Sequence, residues 1–307
     1  MSTAGVLRLA RVSRTVSDLA LAIAFYQDAL DFCVVDGAAR DGRAWGELFG
    51  IQGVSAQSAT LQLGSQQLEL VAFDPPGAPY PPQSHSSDLW FQHIAVVVSD
   101  MEAAYGRLCA HVFKPISEGG PQTLPPATGS VIAYKFRDPD GHPVELIQFP
   151  AGTGNAIWQT TPGLFLGIDH SAMDVANSDE SVDFYTRLLG FRLARRSVNA
   201  GLAQQRLDGA CEDLVEVIAL HPDKPDPPHV ELLCYRKPAG RPIPKHAQPS
   251  GITCDRLVLQ VDALGEMTDT LHANNVEFIS PGIVPGFGDQ GAALVRDPTR
   301  HLLLLCG

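Results

Sequence analysis

Short apolar runs alternate with amphipathic segments along this chain, and the alternation recurs. Residues 92–98, "QHIAVVV", have the length and the valine and isoleucine content of a buried β-strand. Residues 178–191, "SDESVDFYTRLLGF", carry apolar side chains at helical spacing and predict a helix. The tetrad "DPDG" at 138–141 is typical of a tight turn between two further strands. The pattern predicts an α+β protein.

The chain contains an internal repeat at two levels. Residues 17–32 and 178–191 both begin with Ser-Asp and carry Phe-Tyr within the predicted helix. A second pair of segments returns to a final strand through Arg-Asp-Pro, at 137–139 and 296–298. Each repeat reads as a strand, a helix and then three strands. The predicted modules cover about 7–75, 90–150, 165–238 and 253–306, two in an N-terminal half (1–155) and two in a C-terminal half (156–307).

The composition limits the classes of function. The 307 residues are 45% hydrophobic, with a mean hydropathy near zero and a net charge of −12. Nucleic-acid binding needs clustered lysine and arginine, which an acidic chain does not favour. No run has the length of a membrane-spanning helix or the apolar core of a secretion signal, and the six cysteines show no Cys-x-x-Cys spacing. We therefore expect a cytoplasmic protein with mostly buried, reduced thiols and a small-molecule partner, without nucleic-acid or membrane contacts.

Two histidines and two glutamates lie in apolar strands, where polar side chains are unusual. His93 and His170 stand at the head of apolar runs, in "QHIAVVV" and "IDHSAMDV", and Glu145 and Glu231 lie in "PVELIQF" and "HVELLCY". A buried carboxylate is costly unless it is paired or binds a metal, and imidazole and carboxylate groups are common ligands of divalent ions. These residues are the candidate metal ligands. The structural alternatives are hydrogen-bonded core histidines and glutamates on the exposed face of an edge strand.

The segments "QHIAVVVSD", "FYTRLLGF", "DPDGHPVELIQF" and "HVELLCY" together resemble the vicinal oxygen chelate superfamily. This group includes glyoxalase I, methylmalonyl-CoA epimerase, extradiol dioxygenases and fosfomycin and bleomycin resistance proteins. The resemblance covers nearly the whole chain, in a four-module tandem form. It implies βαβββ modules that pair into two cupped, eight-stranded mixed β-sheets with helices outside. It also implies a divalent metal inside a cup, held by residues of the first and last strand of each module.

The ligand positions implied by the resemblance are filled unequally. The second module has His93 and Glu145, and the third has His170 and Glu231. The corresponding residues are Arg11 and Glu69 in the first module, and in the fourth Arg256, or less favourably Asp255, together with Leu304. In the first and fourth modules, arginine or leucine thus fills three of the four positions, and neither residue is suited to binding a metal.

The pairing of the modules decides whether a complete site forms. If neighbouring modules pair, neither cup receives two histidines and two glutamates. If the inner modules pair with each other, and the outer modules do the same, one cup holds His93, Glu145, His170 and Glu231. The other cup then holds arginines that repel a cation. We favour the inner pairing and expect one divalent ion per chain.

The ligand set indicates a glyoxalase-like enzyme of the isomerase, epimerase or lyase type. A single divalent ion (Ni, Co, Mn, Zn or Fe) would chelate neighbouring oxygens of a small carbonyl substrate, and Glu145 or Glu231 would act as the base. One alternative is an extradiol ring-cleaving dioxygenase, in which His93, His170 and Glu145 hold Fe(II). A second alternative is a metal-free binding or resistance protein, against which the ligand set counts.

Several other polar residues have simpler interpretations. His142, His221 and His229 are read as solvated turn or loop residues. In the cup formed by the first and fourth modules, Arg11 and Arg256 are able to bind an acidic ligand, but an ion pair between Arg11 and Glu69 is the simpler expectation. Four modules complete two cups within one chain, so both a monomer and a homodimer are compatible with the sequence.

Overall fold

The computed structural model describes residues 4–40, 42–210 and 214–307, and its elements follow the repeated pattern. The strands are β1 (Val6–Thr15), β2 (Cys33–Arg40), β3 (Ser55–Leu63), β4 (Gln66–Asp74), β5 (Gln92–Val98), β6 (Lys114–Pro115), β7 (Gln122–Thr123), β8 (Ile132–Arg137), β9 (Pro143–Gln148), β10 (Phe165–Asp174), β11 (Arg192–Ala200), β12 (Leu214–His221), β13 (His229–Lys237), β14 (Arg256–Val261), β15 (Ala292–Arg296) and β16 (Leu302–Cys306). The helices are α1 (Leu19–Leu30), α2 (Gly42–Phe49), α3 (Met101–Leu108), α4 (Ser178–Asp183, continued by a π-helical turn over Phe184–Leu188), α5 (Leu202–Asp208) and α6 (Leu264–Ala273).

The four modules differ in detail from the predicted unit of a strand, a helix and three strands. Helices α2 and α5 occupy segments of the first and third modules that the sequence pattern left as polar loops. In the fourth module only β15 and β16 follow α6, so the expectation of three strands is wrong there. Isolated bridges from Phe278 to Val295 and from Val284 to Ala292 take the place of the missing strand.

The strands form two mixed sheets, each built from two modules. One sheet has the order β15-β16-β14-β1-β4-β3-β2, and the other has the order β11-β12-β13-β10-β5-β9-β8-β6, with β7 paired to β8. The predicted architecture of four modules in two sheets is confirmed, although the sheets have seven and nine strands instead of eight each. The antiparallel contact between β5 and β10 joins the second and third modules, and that between β1 and β14 joins the first and fourth.

The inner pairing of modules, which the sequence favoured, is thus the one the structure has. Each sheet takes one module from the first half of the chain and one from the second, so the halves 1–155 and 156–307 do not correspond to separate sheets. Their independence as domains stays a prediction. We call the concave face of the nine-stranded sheet the inner cup and that of the seven-stranded sheet the outer cup.

The Phe-Tyr pairs of the helices and the Arg-Asp-Pro segments of the hairpins are both repeated in the sequence. In the structure, these two motifs contact each other. The buried Tyr26 hydroxyl of α1 donates to the Asp138 carboxylate at 2.9 Å, and the Tyr185 hydroxyl donates to Asp297 at 3.1 Å. In both cases the helix of one module is tied to the hairpin of the next module. Burial of the phenol rings adds apolar contact to each hydrogen bond.

Arg14 lies at the centre of a buried polar network, and its removal should destabilise the fold. Its guanidinium lies 2.7 Å from Asp255 and 3.8 Å from Asp138 and donates to the Tyr26 hydroxyl at 2.7 Å. We expect Arg14→Met to lower the free energy of unfolding by about 3–5 kcal/mol, because two carboxylates would stay buried without their cation. Urea denaturation measures this change. Arg187→Met, which removes the exposed ion pair with Asp183, should cost less than about 1 kcal/mol; equal losses in the two variants would contradict the expectation.

The cysteines are less buried than the sequence predicted. The described cysteines are free, but only Cys234 and Cys254 are fully buried, whereas Cys33 and Cys109 are exposed. The expectation of mostly buried thiols is therefore wrong for the exposed pair, and Cys211 lies outside the described residues. Within the described ranges, no helix combines the length and the apolar character needed to span a membrane.

Candidate metal centre

The four predicted ligands are brought together in two adjacent rows of the nine-stranded sheet. In one row, Glu231 of β13 and His93 of β5 flank Ala172 of β10. Residues paired across neighbouring strands share a face, so these side chains all point into the inner cup. The methyl group between them leaves the space above the strand open.

The second row also has a histidine and a glutamate on either side of an alanine, but its central alanine lies on β5 instead of β10. His170 of β10 and Glu145 of β9 flank Ala95 of β5. Because β5 and β10 are antiparallel, the two modules contribute one histidine and one glutamate each from opposite sides. The pairing of β5 with β10 therefore creates a two-histidine, two-glutamate constellation from residues far apart in the chain.

The distances between the side chains suit a shared cation. The Oε2 atom of Glu145 lies 3.0 Å from Nε2 of His93 and 3.6 Å from Nε2 of His170. Ligand atoms of these three residues lie within 4.8 Å of one another. The Oε2 atom of Glu231 lies 3.6 Å from Nε2 of His170, at the edge of this cluster. Ligand atoms on one ion with bonds of about 2.0–2.2 Å lie at comparable separations.

The electrostatics of the cluster also fit a cation at its centre. Burial lowers the pKa of His93. Burial alone would raise the pKa of Glu145, but hydrogen bonds with His170 and His93 hold it well below its usual range. Burial acts to raise the pKa of Glu231, but the charge of His170 and the hydrogen bond and charge of His229 together lower it to about 2. Burial acts to lower the pKa of His170, yet Glu231 and the hydrogen bond to Asp169 raise it well above its usual range. The ionised carboxylates thus favour the protonated form of His170. A divalent ion bound at the same place would supply this positive charge instead.

Asp169 and Trp158 orient His170, and the sequence interpretation missed both. Nδ1 of His170 lies 3.0 Å from Oδ2 of Asp169, whose other oxygen accepts a hydrogen bond from the Trp158 indole at 2.7 Å. This contact leaves Nε2 of His170 directed at the glutamates. A carboxylate behind a histidine ligand fixes the ring and strengthens its donor nitrogen. The adjacent Asp-His pair in "IDHSAMDV" was the available signal.

Removing the charge of Asp169 should weaken metal binding without removing a ligand. We expect Asp169→Asn to lower the metal affinity about 10- to 100-fold, since outer contacts of this kind typically have that effect. Competition with a metal-chelating dye measures the affinity. Asp183→Asn, which changes an exposed carboxylate on α4, is the matched control. An unchanged affinity in Asp169→Asn would show that the contact does not orient His170.

His229 belongs to the site, contrary to its interpretation as a loop residue. It is the first residue of β13, in register with His170, and its Nε2 lies 3.6 Å from Oε1 of Glu231. Its ring stacks on that of His221, with 4.7 Å between the ring centroids. Strand alternation places His229 and Glu231 on the same face, and that spacing was the signal in the sequence.

His142 is also not solvated, as the sequence interpretation had it. It is buried, its Nδ1 lies 2.9 Å from Asp138, and its Nε2 lies 3.0 Å from the carbonyl oxygen of Ile252. It holds the "DPDG" turn and takes no part in the metal centre.

A buried lysine lies beside the candidate ligands. Lys135 of β8 is directly opposite Glu145 in the ladder, and its ammonium lies 2.6 Å from the Asp208 carboxylate at the end of α5. Burial acts to lower the pKa of Lys135, but the charge of Asp208 raises it above its usual range. Helix α5 thus closes one side of the inner cup and supplies the counter-charge for this lysine.

The four candidate ligands line a cavity of about 280 Å³ in the inner cup. Its walls are largely apolar, and the glycine- and proline-rich segment 117–130 contributes Leu124, Thr128 and Gly129. Arg195 of β11 lines the cavity and donates to the carbonyl oxygen of Ala127 in this segment at 3.2 Å. The cavity admits a small molecule with an apolar part.

The outer cup holds the degenerate set of residues. Arg11 lies 3.5 Å from Glu69, so the simpler expectation of an ion pair is confirmed. Arg256 is fully buried and does not line the outer cavity; it donates to Thr15 at 2.8 Å. The weaker alternative Asp255 pairs with Arg14 instead. Across the described residues, the histidine, cysteine and carboxylate groups close enough to share an ion all lie in the inner cup.

Sequence comparison places this arrangement in a family. The profile of the Glyoxalase/Bleomycin resistance protein/Dioxygenase superfamily matches residues 8–146 and 167–305. The chain belongs to this superfamily. Each match covers one half of the chain, as expected for a tandem member of the superfamily. No curated protein sequence matches the chain.

Solved structures of the superfamily share the fold. Glyoxalase I from Zea mays is 17% identical, with 97% of this chain and 91% of that chain covered and a TM-score of 0.63. A putative dioxygenase from Bacillus subtilis is 11% identical, with 98% and 85% covered and a TM-score of 0.57. At these identities the likeness concerns the fold alone.

Proposed function

We propose that this protein is a metal-dependent, glyoxalase-like enzyme that moves a proton between neighbouring carbons of a small carbonyl substrate. The supporting observation is the convergence of His93, His170, Glu145 and Glu231 in one apolar cup. An isomerase, which returns the proton to the neighbouring carbon, or an epimerase, which returns it to the same carbon, fits this set best; a lyase follows if a leaving group departs with its electron pair from the neighbouring carbon after the proton is removed.

Glu231 would be a releasable fourth ligand of one divalent ion, of nickel, cobalt, manganese, zinc or iron, that His93, His170 and Glu145 would hold. All three are buried, and Asp169 fixes the orientation of one of the imidazoles. When bound, such an ion polarises the oxygens of a chelated carbonyl compound and acidifies the neighbouring C–H bond. Glu145, held between both imidazoles, is suited to remain a ligand.

Glu231 is the better placed of the two glutamates to act as the base. Its side chain is 21% exposed, compared with 8% for Glu145, and it lines the cavity. His229 beside it limits its rotation. A carboxylate at the edge of the ligand cluster can take a proton from one substrate carbon and return it to the next one.

The cavity limits the substrate to a small molecule. A volume of about 280 Å³ is at the lower end for ligand sites. The proposed substrate has two neighbouring oxygens, one of them a carbonyl, and a short apolar substituent that contacts walls such as Val131, Ile147 and Val217. Both cups are completed within one chain, so a monomer suffices for activity, and a cytoplasmic location remains part of the proposal.

Exchange of substrate hydrogen with solvent deuterium tests the proposal. Protein reconstituted with each candidate metal is incubated with lactaldehyde or hydroxyacetone in D2O, and exchange at the carbon next to the carbonyl is followed by NMR. We expect metal-dependent exchange that falls by about 10²- to 10⁴-fold in Glu231→Gln, which retains a metal-binding oxygen but not the base. Absence of exchange with every metal, in protein shown to bind them, would refute the isomerase proposal.

A ring-cleaving dioxygenase is the second candidate, because one observation favours it. The tight cluster contains two histidines and only one carboxylate, His93, His170 and Glu145, with Glu231 at its edge. Two histidines and one carboxylate are the usual ligands of Fe(II) in oxygenases. Oxygen uptake by the iron-loaded protein with catechol, together with no deuterium exchange, would replace the isomerase proposal with this one.

A further inference from the structure

The outer cup contains a second cavity that the metal chemistry does not use. Its volume, about 280 Å³, equals that of the inner cavity. Protein interiors are normally filled to crystal-like density, so a cup that only lost its ligands would be expected to close by packing of larger side chains. The outer cup instead keeps an open cavity with room for a small occupant.

One wall of the outer cavity is aromatic. Trp45 and Phe49 of α2 stack with 5.1 Å between ring centroids, and Phe287 lies 6.0 Å from Trp45. Leu304 and Val258 extend this surface. Flat apolar groups of a ligand would pack on such a wall through burial and ring stacking.

The opposite side carries guanidinium groups. Arg8 donates to Gln260 at 2.7 Å, and Arg11 lies 3.5 Å from Glu69. Nε of Arg11 is buried and has no hydrogen-bond partner in the described residues. The charged side chains lining the cavity are thus two arginines and one glutamate, which leaves donor capacity for an anion.

The register of the sheet places this positive charge at the position of the metal in the inner cup. Arg11 lies opposite Val258, as His170 lies opposite Ala95. Leu304 lies beside Val258, in the place that Glu145 has beside Ala95. The centre of the outer cup therefore repels cations and favours a carboxylate at the corresponding point.

We propose that the outer cup binds a small monocarboxylate with a flat apolar body, such as an aryl or arylalkyl carboxylate. The carboxylate contacts Arg11 and Arg8, and the body lies on Trp45, Phe49 and Phe287. Arginine donors match the geometry of a carboxylate, and the apolar wall excludes water from the contact. This site is independent of the metal centre and of the reaction proposed for it.

Tryptophan fluorescence tests this site directly, since Trp45 lines the outer cavity and Trp158 contacts Asp169 of the metal centre. The protein is titrated with benzoate and phenylacetate and with the neutral amides of the same shape. We expect saturable quenching by the carboxylates, about tenfold stronger than by the amides, with dissociation constants below about 10 mM. The response should be lost in Trp45→Phe and kept in Trp158→Phe.

Two charge variants distinguish the loss of carboxylate recognition from misfolding of the protein. Arg11→Met should weaken carboxylate binding at least about tenfold, since it leaves Glu69 unpaired in the cavity. Glu69→Gln should tighten binding about three- to tenfold, because it frees Arg11, and a misfolded variant would not show such a gain. Equal affinity for carboxylates and amides, no saturable quenching by either carboxylate, or a response that depends on Trp158 would overturn the proposal.

Discussion

Glu231→Ala is expected to release the metal and abolish activity, whereas Glu69→Ala should leave both nearly intact. The two glutamates occupy equivalent places in the third and first modules, in "HVELL" and "QLELV", so the local sequence does not rank them. Glu231 lies 3.6 Å from His170 in the inner cup, whereas Glu69 pairs with Arg11 in the outer cup. Loss of a direct ligand should exceed the roughly 10- to 100-fold effect of outer contacts.

Metal analysis after dialysis and an activity assay of both variants measure this difference. Glu69→Ala is the matched control, because it removes the same chemical group from the same strand position in the other cup. Its own expected effect is confined to the outer cup, where Glu69 pairs with Arg11 and its charge acts on the buried Arg256. Metal retained in Glu231→Ala but lost in Glu69→Ala would overturn the assignment of the site to the inner cup.

The second prediction concerns the number of divalent metal ions bound per chain. We expect about one equivalent of divalent metal per chain, because the outer cup has arginine and leucine at the positions of a histidine and a glutamate ligand. Chelation should abolish activity, and the double variant His93→Ala/His170→Ala should bind no metal. The remaining glutamates alone form a poor site for the candidate transition metals.

Elemental analysis of the reconstituted protein measures the stoichiometry. Circular dichroism of the double variant is the control for folding, since both histidines are buried. Two equivalents per chain would mean that the outer cup binds metal despite Arg11. No metal after reconstitution would favour the metal-free binding protein that the sequence left as an alternative.

Much of the candidate site could be predicted from single strands. A polar side chain in an apolar run is conspicuous, and the strand period of two indicates which neighbours share its face. His93, His170, Glu145 and Glu231 were all found in this way, and the structure places them in one cup. The residues that support them were missed, because Asp169, His229 and Lys135 acquire their roles only through contacts across strands.

Predictions made from neighbouring residues failed where distant parts of the chain make contact. His142 follows a turn and was expected in solvent, but the chain at Ile252 covers it, a contact across 110 residues. Helices α2 and α5 lie in segments read as polar loops, since short helices owe their stability to packing more than to propensity. In α2 that packing is provided by Trp45 and Phe49 against the outer cup.

The sequence by itself determined the repeated α+β module, the buried polar side chains and the unequal ligand sets, because these depend on the periodicity of neighbouring residues. The tertiary structure decided which modules share a sheet. Both pairings satisfy the same local patterns, and the choice rests on whether β5 meets β10, an antiparallel contact that places His93 beside Ala172 and His170 beside Ala95. A candidate metal site whose two histidines, His93 and His170, lie 77 positions apart in the sequence is therefore a property of the assembled sheet and of no single segment.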